Sequence, residues 1–260
     1  MTPRGAPNGV VGATDWVQVG RFYAGLSDVS NACEFARADC APKPCGNGVI
    51  GATDWVQAGR YYAGLDIPVP QMTDCPPPSG FAPKAKSKTR NLAGDRFISI
   101  TNTTIARGAT NGFSVILNAQ GDENALGFTI HFDTNVLTYV SAQRGADAAS
   151  APQFLVNTSD LAHGLIGVGL LLDADTTFPS GTQSVVRINF RAQPGSNTVV
   201  TPVVFADWPV AREISNPLAE ELTANYSDAF ATLVSDTTFL FTQLTRTTGG
   251  NVNQIGRAHV

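Results

Sequence analysis

The oxygen-bearing residues of two short loops are the first candidates for chemistry. Asn8, Gly9, Val10 and Asp15 recur as Asn47, Gly48, Val49 and Asp54. That spacing fits the later part of a calcium loop, D-x-[DN]-x-[DN]-G-x5-[DE]. Asn8 and Asn47 take the fifth ligand position, the Val10 and Val49 carbonyls the seventh, and Asp15 and Asp54 the last. The first position holds Arg4 and Lys43, and the third holds Ala6 and Cys45. Calcium takes about six or more oxygens, many of them anionic. Each loop offers one carboxylate, one amide and one carbonyl, so no cofactor is expected and calcium is the single candidate. The alternative is that a basic side chain replaces the ion, Lys43 or Arg4 reaching inward to bond the aspartate.

The cysteines come next. Cys33, Cys40, Cys45 and Cys75 all fall in the N-terminal third of the chain. An even count confined to one small region predicts two disulfides, with the pairing left open, and an oxidising compartment. Zinc is disfavoured, because no C-x2-C occurs and the histidines, His131, His163 and His259, lie elsewhere. Catalytic patterns are missing. No G-x-S-x-G, H-E-x-x-H or P-loop occurs. Gly164, Gly167 and Gly169 sit in an apolar strand-like run, which is the wrong context for a dinucleotide loop. Glu220 and Glu221 are adjacent and cannot flank a glycosidic bond. The chain is therefore expected not to be an enzyme. With 15% charged residues and a net charge of −4, nothing points to nucleic acid. No apolar run is long enough to span a membrane.

The loops belong to a duplicated unit. Asn8 to Leu26 and Asn47 to Leu65 differ only at Val11/Ile50, Val19/Ala58 and Phe22/Tyr61. Such identity marks a recent duplication, and two copies predict a pair packed face to face. After each loop, Thr14 and Asp15, or Thr53 and Asp54, suit a helix N-cap. Trp16, Val19, Phe22, Tyr23 and Leu26 then follow helical spacing, and Gly25 and Gly64 suit C-caps. Residues 66–95 read as a linker rich in proline, followed by Lys84, Lys86, Lys88 and Arg90.

From residue 96 the apolar period becomes two. Phe128, Ile130 and Phe132 alternate with Thr129, His131 and Asp133, and Val186, Ile188 and Phe190 with Arg187, Asn189 and Arg191. Nine strands are expected, at 96–101, 112–119, 125–133, 136–143, 153–158, 165–172, 184–192, 199–205 and 229–234. Short alternating runs between Gly, Asn, Asp and Pro clusters predict an all-β sandwich. Asn102, Asn157 and Asn225 head glycosylation-acceptor triplets, expected to be silent. The last six residues, Ile255 to Val260, read as a sequencing artefact and are set aside.

Two resemblances follow from these residues. The paired N-G-x-[VI]-x-x-T-D-W-x-x-x-G-R-[FY] units resemble the duplicated repeats of a dockerin. The segments Gly127 to Val140, Gly181 to Ala192 and Phe205 to Ser215, in that order, resemble a cohesin domain. Together they imply a mainly β chain: a nine-stranded jelly-roll sandwich at 96–234, preceded by a small α-helical dockerin-like pair at 1–65, with a tail at 235–260. They also imply a non-catalytic scaffolding module, extracellular or on the cell surface, with cohesin- or dockerin-bearing partners or a second copy of itself. The dockerin-like contact residues are Ala13, Thr14 and Arg21 in one copy, and Ala52, Thr53 and Arg60 in the other. Identical contacts in a two-fold pair imply docking in either of two orientations. The cohesin-like face would include Gly127, Thr129 and His131, with Ala125 and Gly127 standing where polar anchors are expected. A sandwich of this kind also suits polysaccharide binding, since fold does not fix function, and a further alternative is a truncated piece of a dockerin-tagged enzyme. Exposed aromatics on the strands are few, which favours protein partners.

Overall fold

The computed structural model describes residues 11–68 and 96–235. Asn8, Val10 and Cys75, the linker residues 69–95 and the tail from 236 onward lie outside the described residues. Helices α1 (Ala13–Tyr23) and α3 (Ala52–Tyr62) are the two copies of the repeat, and α2 (Ala32–Ala38) lies between them. The N-caps are Gly12 and Gly51 rather than the Thr-Asp pair. Asp15 and Asp54 sit one turn further in and reach back, accepting the N–H of Gly12 at 2.9 Å and of Gly51 at 2.8 Å. A carboxylate in the first turn satisfies an orphan donor and complements the helix dipole. Both helices end in the same motif. Leu26 N–H donates to Arg21 O and Gly25 N–H to Phe22 O, and Leu65 and Gly64 repeat this with Arg60 and Tyr61. The motif needs positive φ at its glycine, and Gly25 and Gly64 supply +63° and +72°. Helix α2 was not expected. Asn31 caps it by accepting the Glu34 N–H at 3.0 Å.

The repeats pack face to face around two glycines. A Cβ on Gly20 would lie 2.5 Å from the Trp55 ring, and one on Gly59 would lie 2.8 Å from the Trp16 ring. Each tryptophan therefore lies across the partner helix's glycine, and the arrangement is reciprocal, as the duplication predicts.

The rest is a two-sheet β-sandwich. Its strands are β1 (Phe97–Ile100), β2 (Thr103–Ala106), β3 (Thr110–Ala119), β4 (Ala125–Phe132), β5 (Leu137–Arg144), β6 (Gln153–Asn157) and β7 (Leu165–Leu171). They continue with β8 (Gly181–Ala192), β9 (Val199–Ala206), β10 (Glu213–Ser215), β11 (Glu221–Leu222), β12 (Asn225–Ser227) and β13 (Ala229–Val234). One sheet runs β12-β1-β3-β8-β5. In the other, β7 pairs β4 along one edge and β6 lies outside β7. The opposite edge of β4 pairs β10 at its start and β9 at its end, and β13 and β2 follow β9. Phe113, Phe132 and Tyr139 pack edge-on around Phe190, and Phe128 meets Phe205. The expected mainly β architecture with a small helical part is present. β2, β10, β11 and β12 were not expected, being too short for a period to show in the sequence.

Arg96 anchors the first strand. Its guanidinium bonds the fully buried Glu123 carboxylate and Asp122, and it donates to Thr223 O at 2.9 Å. Removing one partner of a buried pair strands the other charge. Arg96→Ala is expected to cost about 3–5 kcal/mol in reversible denaturant unfolding; an unchanged midpoint would show that the pair contributes nothing.

Candidate functional site: a covered sheet face

The sandwich is buried on one outer face as well as inside. On β4, Leu126, Phe128, Ile130 and Phe132 enter the inter-sheet core, yet Ala125, Gly127 and Thr129 on the opposite face are buried too. β7 repeats this with Gly167, Gly169 and Leu171. What covers them is the helical pair and the connection at 207–212. Trp16, Val19, Phe22, Tyr23, Trp55 and Val56 form one apolar cluster with Ala125, Leu171, Val210 and Ala219 of the sandwich.

Polar contacts ring this cluster. Tyr23 Oη donates to Ala211 O at 3.1 Å, and Trp55 Nε1 to Gln153 Oε1 at 3.2 Å. Asn157 Nδ2 donates to Ala24 O at 2.7 Å and to Gly25 O at 3.1 Å. Glu213 lies under the first turn of α3 and accepts the Thr53 N–H at 3.2 Å. Gly51 admits that carboxylate, because a Cβ there would lie 2.5 Å from Glu213 Oε2. Burial, and then the nearby Glu221, push the Glu213 carboxyl above its ordinary value. Burial likewise pushes the Tyr23 phenol well up, so it stays a donor.

The expected contact residues divide. Ala52 and Thr53 are buried against the sandwich, and Arg60 Nη1 donates to Pro217 O at 2.6 Å. The matching residues of the first copy are not brought to the face. Ala13 and Thr14 are exposed, and Arg21 folds back onto Ser27 Oγ and Leu26 O. Gly127 lies directly under Tyr23. Thr129 works one step removed: its Oγ1 donates to Val210 O at 2.7 Å and accepts the Val210 N–H at 2.9 Å, pinning the 207–212 connection. His131 is exposed and lines a depression with Asp133, Thr134 and His163, away from the helices. Tyr23, Trp55, Gln153, Asn157 and Glu213 were not among the expected contacts. The repeated aromatics alone could have pointed to the first two. Asn157 is buried with its amide committed, which bars glycosylation there.

The second loop does not suit calcium. Asp54 Oδ1 accepts the N–H of Cys40 at 2.6 Å and of Ala41 at 2.8 Å, and Oδ2 accepts that of Gly51. Three amide dipoles point their positive ends where a cation would sit. Burial, and then Asp39, push the Asp54 carboxyl well above its ordinary value. Asp39 orders the loop instead, accepting the N–H groups of Asn47 at 2.9 Å and Gly48 at 2.7 Å. Asn47 Oδ1 turns to the Val49 N–H. Lys43 does not reach Asp54; backbone amides occupy that carboxylate, and Lys43 pairs with Asp66 at 3.2 Å. The cysteines also depart from expectation. Cys33 and Cys40 are free thiols, so the expected two disulfides do not both form, whereas Cys45 is disulfide-bonded. Cys33 is exposed, whereas Cys40 turns inward and donates to Asp54 O at 3.4 Å. Burial, and then Asp54, hold its thiol protonated. Calcium added after chelation is expected to leave helicity and melting midpoint unchanged. Asp54→Ala strands three buried donors and should cost at least about 2 kcal/mol by denaturant unfolding.

Arg60 is held from both sides. Besides Pro217, it bonds Asp66, which also accepts from Gln57 Nε2 at 2.9 Å. The Arg60 bond keeps the Asp66 carboxyl well below the usual carboxylate range. A depressed pKa adds stability that is present above the unfolded value of about 3.9 and is lost progressively as pH falls from there through the lower folded value. Wild type and Asp66→Asn should therefore differ by a constant amount above about pH 4 and converge below it, in urea titrations across pH.

No protein-family model matches the chain, and no curated protein matches it. Among solved structures, similarity extends to a non-cellulosomal cohesin from the archaeon Archaeoglobus fulgidus, at 15% identity over 55% of this chain and 93% of that one, TM-score 0.46. The sixth cohesin of Acetivibrio cellulolyticus scaffoldin B, solved with a Cel5 dockerin, is similar at 18% identity over 53% and 98%, TM-score 0.46. The Clostridium thermocellum OlpA cohesin–Doc918 complex is similar at 14% identity over 54% and 100%, TM-score 0.47. Among the described residues, no helix is long and apolar enough to cross a membrane.

Proposed function

We propose that the chain is a non-catalytic protein–protein interaction module of cohesin type, and that its partner face is the outer surface of β6, β7, β4 and β10. The observation that carries this reading is the helical pair seated on that face through Asn157, Gln153, Glu213 and Ala211. A loop–helix pair is therefore the class of partner the face accepts, and here the chain's own N-terminal pair is the occupant. The chain divides on this reading into the pair at 1–65, a linker at 66–95, the binding sandwich at 96–234 and a tail. Its setting is an extracellular or cell-surface scaffold. The exposed first-copy residues Ala13 and Thr14, with Arg21 released from Ser27 and Leu26, would replace Ala52, Thr53 and Arg60 after half a turn of the pair, so the pair can dock in either orientation.

The test is to place a specific cleavage site within residues 76–95, past the last cysteine so that no disulfide joins the two pieces, and cut the otherwise intact chain. The two pieces are expected to co-elute on native size-exclusion chromatography at micromolar concentration. Asn157→Ala leaves two helix-end carbonyls unbonded, at about 1–3 kcal/mol, and should weaken the association about five- to 150-fold. Separation of the wild-type pieces on cutting would refute the reading.

A further inference from the structure

The face under the helical pair lacks side chains where the pair comes closest. Gly127 of β4 is in register with Gly169 of β7, and Thr129 with Gly167. A Cβ on Gly127 would lie 1.8 Å from Tyr23 Oη, and one on Gly169 would lie 3.4 Å from the Trp55 ring. A Cβ on Gly167 would lie 2.5 Å from Val210, whose connection borders the same depression. Glycine inside a strand weakens it and marks close approach of another group. Three on one face of two paired strands make a trough. Its two occupants are aromatic and adjacent, with the Tyr23 and Trp55 ring centroids 6.2 Å apart. At the trough's rim, the phenol and indole donors each find an acceptor, in Ala211 O and Gln153.

Building on the partner face proposed above, we propose that this glycine-floored trough is its specificity determinant. It selects helical pairs that carry a tyrosine–tryptophan couple at this spacing, and so suits the sandwich to the chain's own pair. The reasoning is steric and electrostatic. The phenol end of Tyr23 fills the depth left by the missing Gly127 Cβ and the Trp55 ring lies over Gly169, while the phenol and indole donors each reach an acceptor beside the trough. A small polar residue in the same place would leave the trough unfilled and both acceptors unbonded. The couple occurs twice, since Trp16 stacks on the half-exposed Tyr62 with centroids 5.6 Å apart. Either orientation of the pair therefore offers a couple of the right kind.

The experiment uses the cut chain described above and measures reassociation affinity. Gly127→Ala is expected to weaken association about ten- to a hundredfold, through overpacking against Tyr23. Tyr23→Leu removes the atoms nearest that Cβ. In a chain carrying it, the effect of Gly127→Ala should shrink to within about twofold. Wild-type affinity for Gly127→Ala, with Asn157→Ala still weakened, would overturn the trough and leave the partner face standing. Wild-type affinity for both would overturn the face itself. An equal loss from Gly127→Ala with or without Tyr23→Leu would place the damage in the strand and overturn the trough.

Discussion

A strand buried on both faces must have something on each side of it, and β4 meets that condition over most of its length. One face carries Leu126, Phe128, Ile130 and Phe132 into the inter-sheet core. The other carries Ala125, Gly127 and Thr129, which are small enough to let a helix lie close. Antiparallel sheets commonly leave one face to water, with polar side chains on it. Here the outward set of β4 and β7 is instead small or apolar. Left open, that surface would expose a continuous apolar patch of the kind that marks an interaction site. The helical pair closes it, and the packing of the pair, the 207–212 connection and β10 all follow from that closure. Thr129 is the hinge of this arrangement. It fixes Val210, and Val210 then joins the cluster that receives the helices.

Electrostatics at the first turn of α3 follow the same logic. Two carboxylates, Asp54 and Glu213, meet N–H groups left without an intrahelical partner at that helix start, one from within the repeat and one from the sandwich. Both are removed from water, and burial raises both carboxyls. What holds them is a set of backbone donors rather than a metal or a basic side chain. The segment before the second loop supplies Cys40 and Ala41 for Asp54, while Asp39 takes the loop's own amides. The loop is thus folded by exchanging ion–oxygen bonds for carboxylate–amide bonds, which need no cation.

Much of the fold was legible because it is written in periods. The strands β3, β4, β7 and β8 are long enough for alternation to show, and the duplicated helices carry their own Schellman glycines. The outward placement of Gly127 and Thr129 follows from the same alternation. The site was less legible, for three physical reasons. Contacts from Gln153, Asn157 and Glu213 are single side chains at strand ends, where no repeat singles them out. The aspartate that orders the second loop, Asp39, precedes the calcium pattern and falls outside any motif. Cys40 looks like half of a disulfide, yet its N–H and its thiol both bond Asp54 instead.

The two copies of the repeat are nearly identical, yet they do different work, and this asymmetry cannot come from their own sequences. Val19/Ala58 and Phe22/Tyr61 are small changes within the shared helix–helix packing. The difference lies in where the pair is set down. A two-fold pair laid on a surface without two-fold symmetry must present unlike ends to each part of that surface. Glu213 stands at one place only, so one N-terminal turn meets it and the other faces water. Asn157 stands at one place only, so one Schellman ending is bonded across and the other is exposed. The sandwich therefore breaks the symmetry that duplication created. It does so with a few fixed polar groups around a trough, leaving the unused copy of each contact intact on the free side of the pair.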